Sequence, residues 1–302
     1  MAKTAAQSSG GFFDTVKTIF WALLIAGAFR TILFQPFSIP SGSMKPELVI
    51  GDYLFVSKFA YGYSRYSLPF SPNLDWLLGE GRVFAREPER GDVVVFKHPK
   101  FDECSEGAIN QTIDFAMRLT GLRSGPGTQD CVDYVKRIVG LPGDAVQVKA
   151  GILHINGEAL PTRRMQDYIE RRIPLGSPPR MPRCINAPVP RGGDCAKEQY
   201  EETLPGGRAY RVLNIEGEIG AASSGFLSGG ADNTPEFLVP DGHFFFMGDN
   251  RDNSVDSRFQ SQVGVVPFKN LIGRADIVAL SAEGPFWQLW NWRFSRFLKS
   301  IN

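Results

Sequence analysis

The sequence predicts a mainly β fold behind a single N-terminal helix. Three observations carry that reading. Eight short runs are apolar or alternating and are cut by Gly, Pro and Asp. Gly 32 and Pro 21 in 302 residues exceed the usual share, which favours strands and loops. The long apolar run is confined to the N-terminus.

That run gives the helix. Val16 to Phe34 is apolar apart from Lys17 and Arg30 near its ends, and Pro36 is the expected stop. Such a helix is about 28 Å long, close to a bilayer's hydrocarbon core. It reads as an uncleaved membrane anchor because apolarity resumes after Arg30. Two readings compete: a cleaved signal peptide ending in Ala26-Gly27-Ala28, and a buried core helix. Lys3 and Lys17 bias the N-terminus toward the cytoplasm and the rest of the chain to the other side.

The strands follow in order. They are Tyr53–Val56, Val93–Phe96, Tyr134–Val139, Ala145–Val148, Ile152–Ile155, Arg208–Ile215, Phe244–Met247 and Ile272–Leu280, and Asn156-Gly157 reads as a tight turn. The organisation predicted is a cytoplasmic tip and anchor (1–35), a core in two parts (36–162 and 239–285), and an inserted β/loop-rich cap subdomain (163–238). Insertions at about 63–89 and 100–131 interrupt the first part, and a short helix is expected at Ile109–Leu119. In the last segment, 286–302, Phe286, Trp290, Phe294, Phe297 and Ile301 fall at helical spacing among Arg293, Arg296 and Lys299. This reads as a basic aromatic helix, at a membrane interface or packed on the core.

Charge and cysteine content narrow the function. A net charge of +1 excludes a broad electrostatic grip on nucleic acid. Cys104 with Cys131 and Cys184 with Cys195 suit two local disulfides in an oxidising compartment, against four buried thiols.

Three motifs hold polar groups in constrained settings. Pro40-Ser41-Gly42-Ser43-Met44-Lys45-Pro46 is a polar turn between prolines. Lys136 lies inside an apolar strand that ends in Leu141-Pro142-Gly143-Asp144. The polar run from Gly248 to Arg258 (GDNRDNSVDSR) follows three phenylalanines and Met247. Taken alone, each has a bland reading: a turn, a solvated lysine, a loop. A metal loop is disfavoured because EF-hand spacing is missing. The histidines, His98, His154 and His243, have no evident triad partner. A lysine kept in apolar surroundings loses its proton and can act as a base.

Together these motifs resemble the bacterial type I signal peptidases. The resemblance runs through the apolar run, PSGSM (40–44), GDYLFVSKFAYG (51–62), RGDVVVFKHP (90–99), DYVKRIVGLPGD (133–144), GDNRDNSVDSR (248–258) and VVPFKNLIGRA (265–275). Segments 63–89, 100–131 and 163–236 do not share in it.

The resemblance implies antiparallel sheets around a hydrophobic substrate groove. It makes Ser43 the nucleophile and Lys136 its general base. Ser254 would orient the lysine amine, Ser41 would join the oxyanion hole, and Asp256 with Arg258 would form a supporting ion pair. Phe37, Ile39, Pro40, Met44, Leu48, Leu54, Val95, Tyr134 and Val135 would line pockets for small side chains. Neither metal nor cofactor is implied. The implied partners are secretory preproteins and the lipid bilayer. The implied location is the bacterial inner membrane, single-pass, with the catalytic part extracytoplasmic. The competing functions are a tethered scaffold with a dead site, a self-cleaving Ser–Lys repressor, and a peptidase narrowed to one substrate.

Overall fold

A strand buried on both faces organises the main sheet. Val93–Lys97 (β3) sends Val93 and Val95 into one apolar cluster and Val94 and Phe96 into another. That is the alternation a pleated strand imposes, and an unbroken apolar run is what a two-sided position requires. The structure is a computed structural model and describes residues 11–64, 81–99, 133–176, 179–215, 231–284 and 287–302. Cys104, Cys131 and the expected helix at 109–119 lie outside the described residues.

The sheet around β3 is eight-stranded and its pairings are antiparallel. It comprises Phe34–Ser38 (β1), Asp52–Ser57 (β2), β3, Asp133–Gly140 (β4), His243–Met247 (β13), Val266–Pro267 (β14), Leu271–Ser281 (β15) and Lys299–Ser300 (β16). The order is β1-β2-β15-β3-β4-β13-β14, with β16 beside β15. A second sheet joins Ala145–Lys149 (β5), Ile152–Ile155 (β6), Glu158–Ala159 (β7) and Phe237–Leu238 (β12) in the order β12-β5-β6-β7. Asn156 and Gly157 both take positive φ (55° and 84°) in the tight turn from β6 to β7, the backbone that favours this residue pair. In the third sheet Asp194–Thr203 (β10) pairs with Thr162–Arg164 (β8), Tyr168–Arg171 (β9) and Ala209–Asn214 (β11).

The eight strands expected from the sequence are present, within two residues at either end. The stretch 163–238, expected to be rich in β and loops, contains the whole third sheet apart from the first residue of β8. Strands β8, β9 and β10 were not expected.

The N-terminal helix is corrected at both ends. It spans Phe12–Ile32 (α1), and the chain turns into β1 before Pro36 is reached. Phe34 instead pairs with Ser57, and Pro36 sits inside an edge strand, where a missing N–H is tolerated. Among the described residues no helix is long and apolar enough to cross a membrane; α1 carries Asp14, Lys17 and Arg30 within its 21 residues.

The aromatic helix expected in 286–302 is also corrected. The described part forms two 3-10 turns, Leu289–Asn291 and Phe294–Arg296, followed by β16. The rings pack on one another in tilted contacts, with Trp292 and Phe297 centroids 5.5 Å apart. The basic side chains reach back to the core: Arg296 pairs with the buried Asp52 at 2.6 Å and Lys299 with Glu47 at 2.9 Å.

Candidate active site

The site lies where the long loop between β1 and β2 meets β4 and the turn after β13. The loop carries Ser43, and β4 carries Lys136. Asn250, from the turn, latches the loop: its backbone N–H donates to the Ser43 carbonyl at 3.0 Å and its side-chain amide to the Gly42 carbonyl at 2.8 Å. Gly248 permits this approach. A Cβ there would stand 2.1 Å from Ser254 Oγ and 2.7 Å from the Ser43 carbonyl oxygen.

Ser43 and Lys136 are both buried, at 8% and 4% exposure, and the lysine amine is hydrogen-bonded to the serine hydroxyl at 2.8 Å. The amine also donates to the Val135 carbonyl at 3.0 Å, and the Tyr134 ring lies 5.5 Å away. Burial lowers the Lys136 pKa to about 8, against the opposing pull of Asp256 and Asp249. A site of this kind presents an unprotonated amine to a hydroxyl at mildly alkaline pH.

The other expected residues are placed unevenly. Ser41 is exposed and its hydroxyl lies 3.4 Å from that of Ser43. Asp256 and Arg258 form a buried two-pronged pair, both contacts at 2.9 Å. Burial alone would raise the Asp256 pKa, but Arg258 holds it below the ordinary carboxylate value. Asp256 also accepts the Gly248 N–H at 3.0 Å, so the pair fixes the turn. Ser254 is buried, yet it makes no hydrogen bond to Lys136, whose amine is engaged by Ser43 and Val135. The expected orienting contact is therefore not made.

The expected groove residues divide by depth. Ile39, Met44, Leu48, Leu54 and Val95 belong to one buried cluster, with Phe37 and Val135 packed against it at partial exposure. Leu48, Leu54 and Val95 are fully buried and act as floor rather than lining. Tyr134 packs against the neighbouring cluster, and Pro40 is exposed.

Three residues that the sequence reading passed over complete the surroundings. Arg137 is buried beside Lys136 and grips Asp249 through two contacts, at 2.9 and 2.7 Å. Lys45 and Glu170 form a buried ion pair between the Ser43 turn and β9. Arg137 adjoins Lys136 in one motif, a readable signal. Glu170 carries no such signal, since only folding brings it near.

A buried lysine amine on β4 bonded to a serine hydroxyl on the β1–β2 loop is the arrangement of a Ser–Lys hydrolase type of site. Residues 12–280 match the family model described as signal peptidase, peptidase S26, and the chain belongs to that family. A signal peptidase I of Rickettsia typhi is 36% identical over 279 residues, covering 90% of this chain and 83% of its own. The signal peptidase I of Rickettsia prowazekii is 34% identical, over 94% of this chain and 84% of its own. A solved signal peptidase I from Enterococcus faecalis shares 18% identity over 63% of this chain and 97% of its own, with a TM-score of 0.25, too low to speak to the fold.

Proposed function

We propose that the protein is a membrane-associated serine endopeptidase. It removes N-terminal signal peptides from exported preproteins after a small-x-small sequence such as Ala-x-Ala. The observation that carries this reading is the 2.8 Å contact between a buried lysine amine of lowered pKa and the Ser43 hydroxyl.

In the proposed reaction Lys136, as free amine, takes the Ser43 proton while Oγ attacks the carbonyl carbon of the scissile bond. The tetrahedral oxyanion is held by the Ser43 N–H and the Ser41 hydroxyl. The Lys136 ammonium then protonates the departing amine of the mature chain. Water, deprotonated by the same lysine, releases the signal peptide from Ser43. Arg137 and Lys136 are neighbours in sequence but differ in role. Arginine stays charged and suits the buried pair with Asp249, whereas lysine can give up its proton.

Substrate selection follows from the walls. A peptide would add as an extended strand at β1, which pairs with β2 alone among the described residues and lies at the end of the sheet order. Phe37 and Val135 offer apolar surface over a filled floor, which leaves room for small side chains. Membrane association is supported by α1, whose Phe13, Ile19, Phe20, Trp21, Leu23 and Ile25 are exposed. Extracytoplasmic placement is supported by the Cys184–Cys195 disulfide.

The test is cleavage of a preprotein bearing an Ala-x-Ala site, with the new N-terminus read by mass spectrometry. Cleavage after the second Ala that disappears in Ser43→Ala is the expected result. No cleavage, or cleavage that survives in Ser43→Ala, would defeat the proposal.

A further inference from the structure

The inserted strands reach the nucleophile turn through one carboxylate. Lys45, two residues past Ser43, pairs through Nζ with Glu170 Oε2 of β9. Glu170 Oε1 holds Lys197 Nζ of β10 at 2.6 Å. The three side chains are 6%, 8% and 3% exposed. The Lys45 stem runs beside Gly42, with Cε 3.3 Å from where a Cβ would stand. The Lys45 ammonium is thus tethered at one end while its stem packs along the turn that holds Ser43.

Glu170 is itself fixed. It stands opposite Cys195 in the β9–β10 ladder, and Cys195 is disulfide-bonded to Cys184. The neighbouring Arg183 donates to the Asp252 carbonyl at 2.6 Å. The insertion therefore grips both turns of the site, one through Glu170 and the other through Arg183. Burial by itself would raise the Glu170 pKa, and the Lys197 and Lys45 ammoniums bring it below the usual carboxylate value. The carboxylate stays charged, and without it two buried ammoniums would lose their counter-ion.

We propose that Glu170 is a positioning residue: acting through Lys45, it holds the Ser41–Met44 turn so that the Ser43 hydroxyl stays on the Lys136 amine. This rests on the Ser43–Lys136 reading above. A displacement of about 1 Å at a reacting group can cost on the order of 100-fold in rate.

The test measures kcat, KM and thermal midpoint for wild type, Lys45→Met, Glu170→Gln and the double variant, with Ser43→Ala as control. Lys45→Met keeps the Glu170–Lys197 pair and so preserves the fold. The expected result is a loss of kcat of about 10- to 100-fold in each single variant, with KM nearly unchanged. The double variant should be no worse than the poorer single, because both act through one contact. The midpoint of Lys45→Met should stay near that of wild type. If Glu170→Gln does not fold, Lys45→Met decides alone. Wild-type kcat in Lys45→Met, a loss confined to KM, or losses that multiply would overturn the positioning role. Cleavage by Ser43→Ala would instead bring down the reading beneath it.

Discussion

Lys136 Nζ lies 2.8 Å from Ser43 Oγ, although 93 positions separate the two residues in the chain. Their contact needs β4 to be buried in the sheet and the β1–β2 loop to be latched by Asn250. Each partner is replaceable without loss of a hydrogen bond between main-chain groups; Lys136→Ala gives up only the amine's bond to the Val135 carbonyl besides that to Ser43. Ser43→Ala and Lys136→Ala should therefore fold, give native circular dichroism and lose preprotein cleavage. Lys136→Arg should also be inactive, since arginine stays charged. Full activity in folded Lys136→Ala would remove the lysine from the mechanism.

The pH profile follows from the lysine. With a pKa of about 8, the free amine is the minor form at pH 7. A mechanism that needs it should show kcat/KM rising about tenfold per pH unit below that value and levelling above it. His154 and His243 are bonded to the Ile152 and Asp241 carbonyls, and His98 packs on Tyr134. Replacing all three should leave the limb in place. A limb that vanishes with the histidines would assign it to one of them.

The same depressed pKa costs stability. The amine titrates at 10.5 when unperturbed and at about 8 in the fold. Below pH 8 both states carry the proton, and the folded state bears the whole penalty of a buried ammonium. Between 8 and 10.5 the unfolded chain binds more protons, so stability rises with pH. Lys136→Met should therefore gain about 3 kcal/mol at pH 7. The gain should fade as pH rises toward 10.5. Urea denaturation of both proteins at neutral and alkaline pH reads this directly, and a gain independent of pH would contradict it.

Gly248→Ala tests how closely the turn after β13 must approach Ser43. Its Cβ would meet Ser254 Oγ at 2.1 Å, Ser254 Cβ at 2.5 Å and the Ser43 carbonyl oxygen at 2.7 Å. The turn must shift, and the expected loss of kcat is on the order of 100-fold. Activity within a few-fold of wild type would show that the two turns move together.

Arg137 and Asp249 are each 1% exposed in the side chain and have paired charges. Arg137→Met leaves a buried carboxylate without its partner, at a cost of about 3 to 5 kcal/mol. Adding Asp249→Asn should recover part of that loss, because the charge is removed with its need. Additive losses in denaturant titrations would show that the two side chains act independently.

Most of the main sheet was legible because its strands carry their own burial signal. Val93–Lys97 and His243–Met247 are apolar in sequence because the sheet covers them. β10 gave no such signal. Its buried residues include Lys197 and Glu202, which are satisfied by ion pairs rather than by apolarity. The aromatic spacing of 286–302 misled for the opposite reason. The rings pack on each other and Arg296 turns inward to Asp52, so tertiary contacts overrode the helical period.

Local alternation, turn geometry and residue type were enough to place eight of the strands, the Asn156-Gly157 turn and the Ser43 and Lys136 motifs. Tertiary structure decided what depends on distance. It set Lys136 against Ser43, pulled Phe34 out of the expected helix and put Pro36 into β1 instead of at a helix stop, left Ser254 off the amine, and brought Glu170 to Lys45 across 125 positions. Contacts of that range cost loop-closure entropy and form only when buried sheets repay it, and no local pattern records that balance.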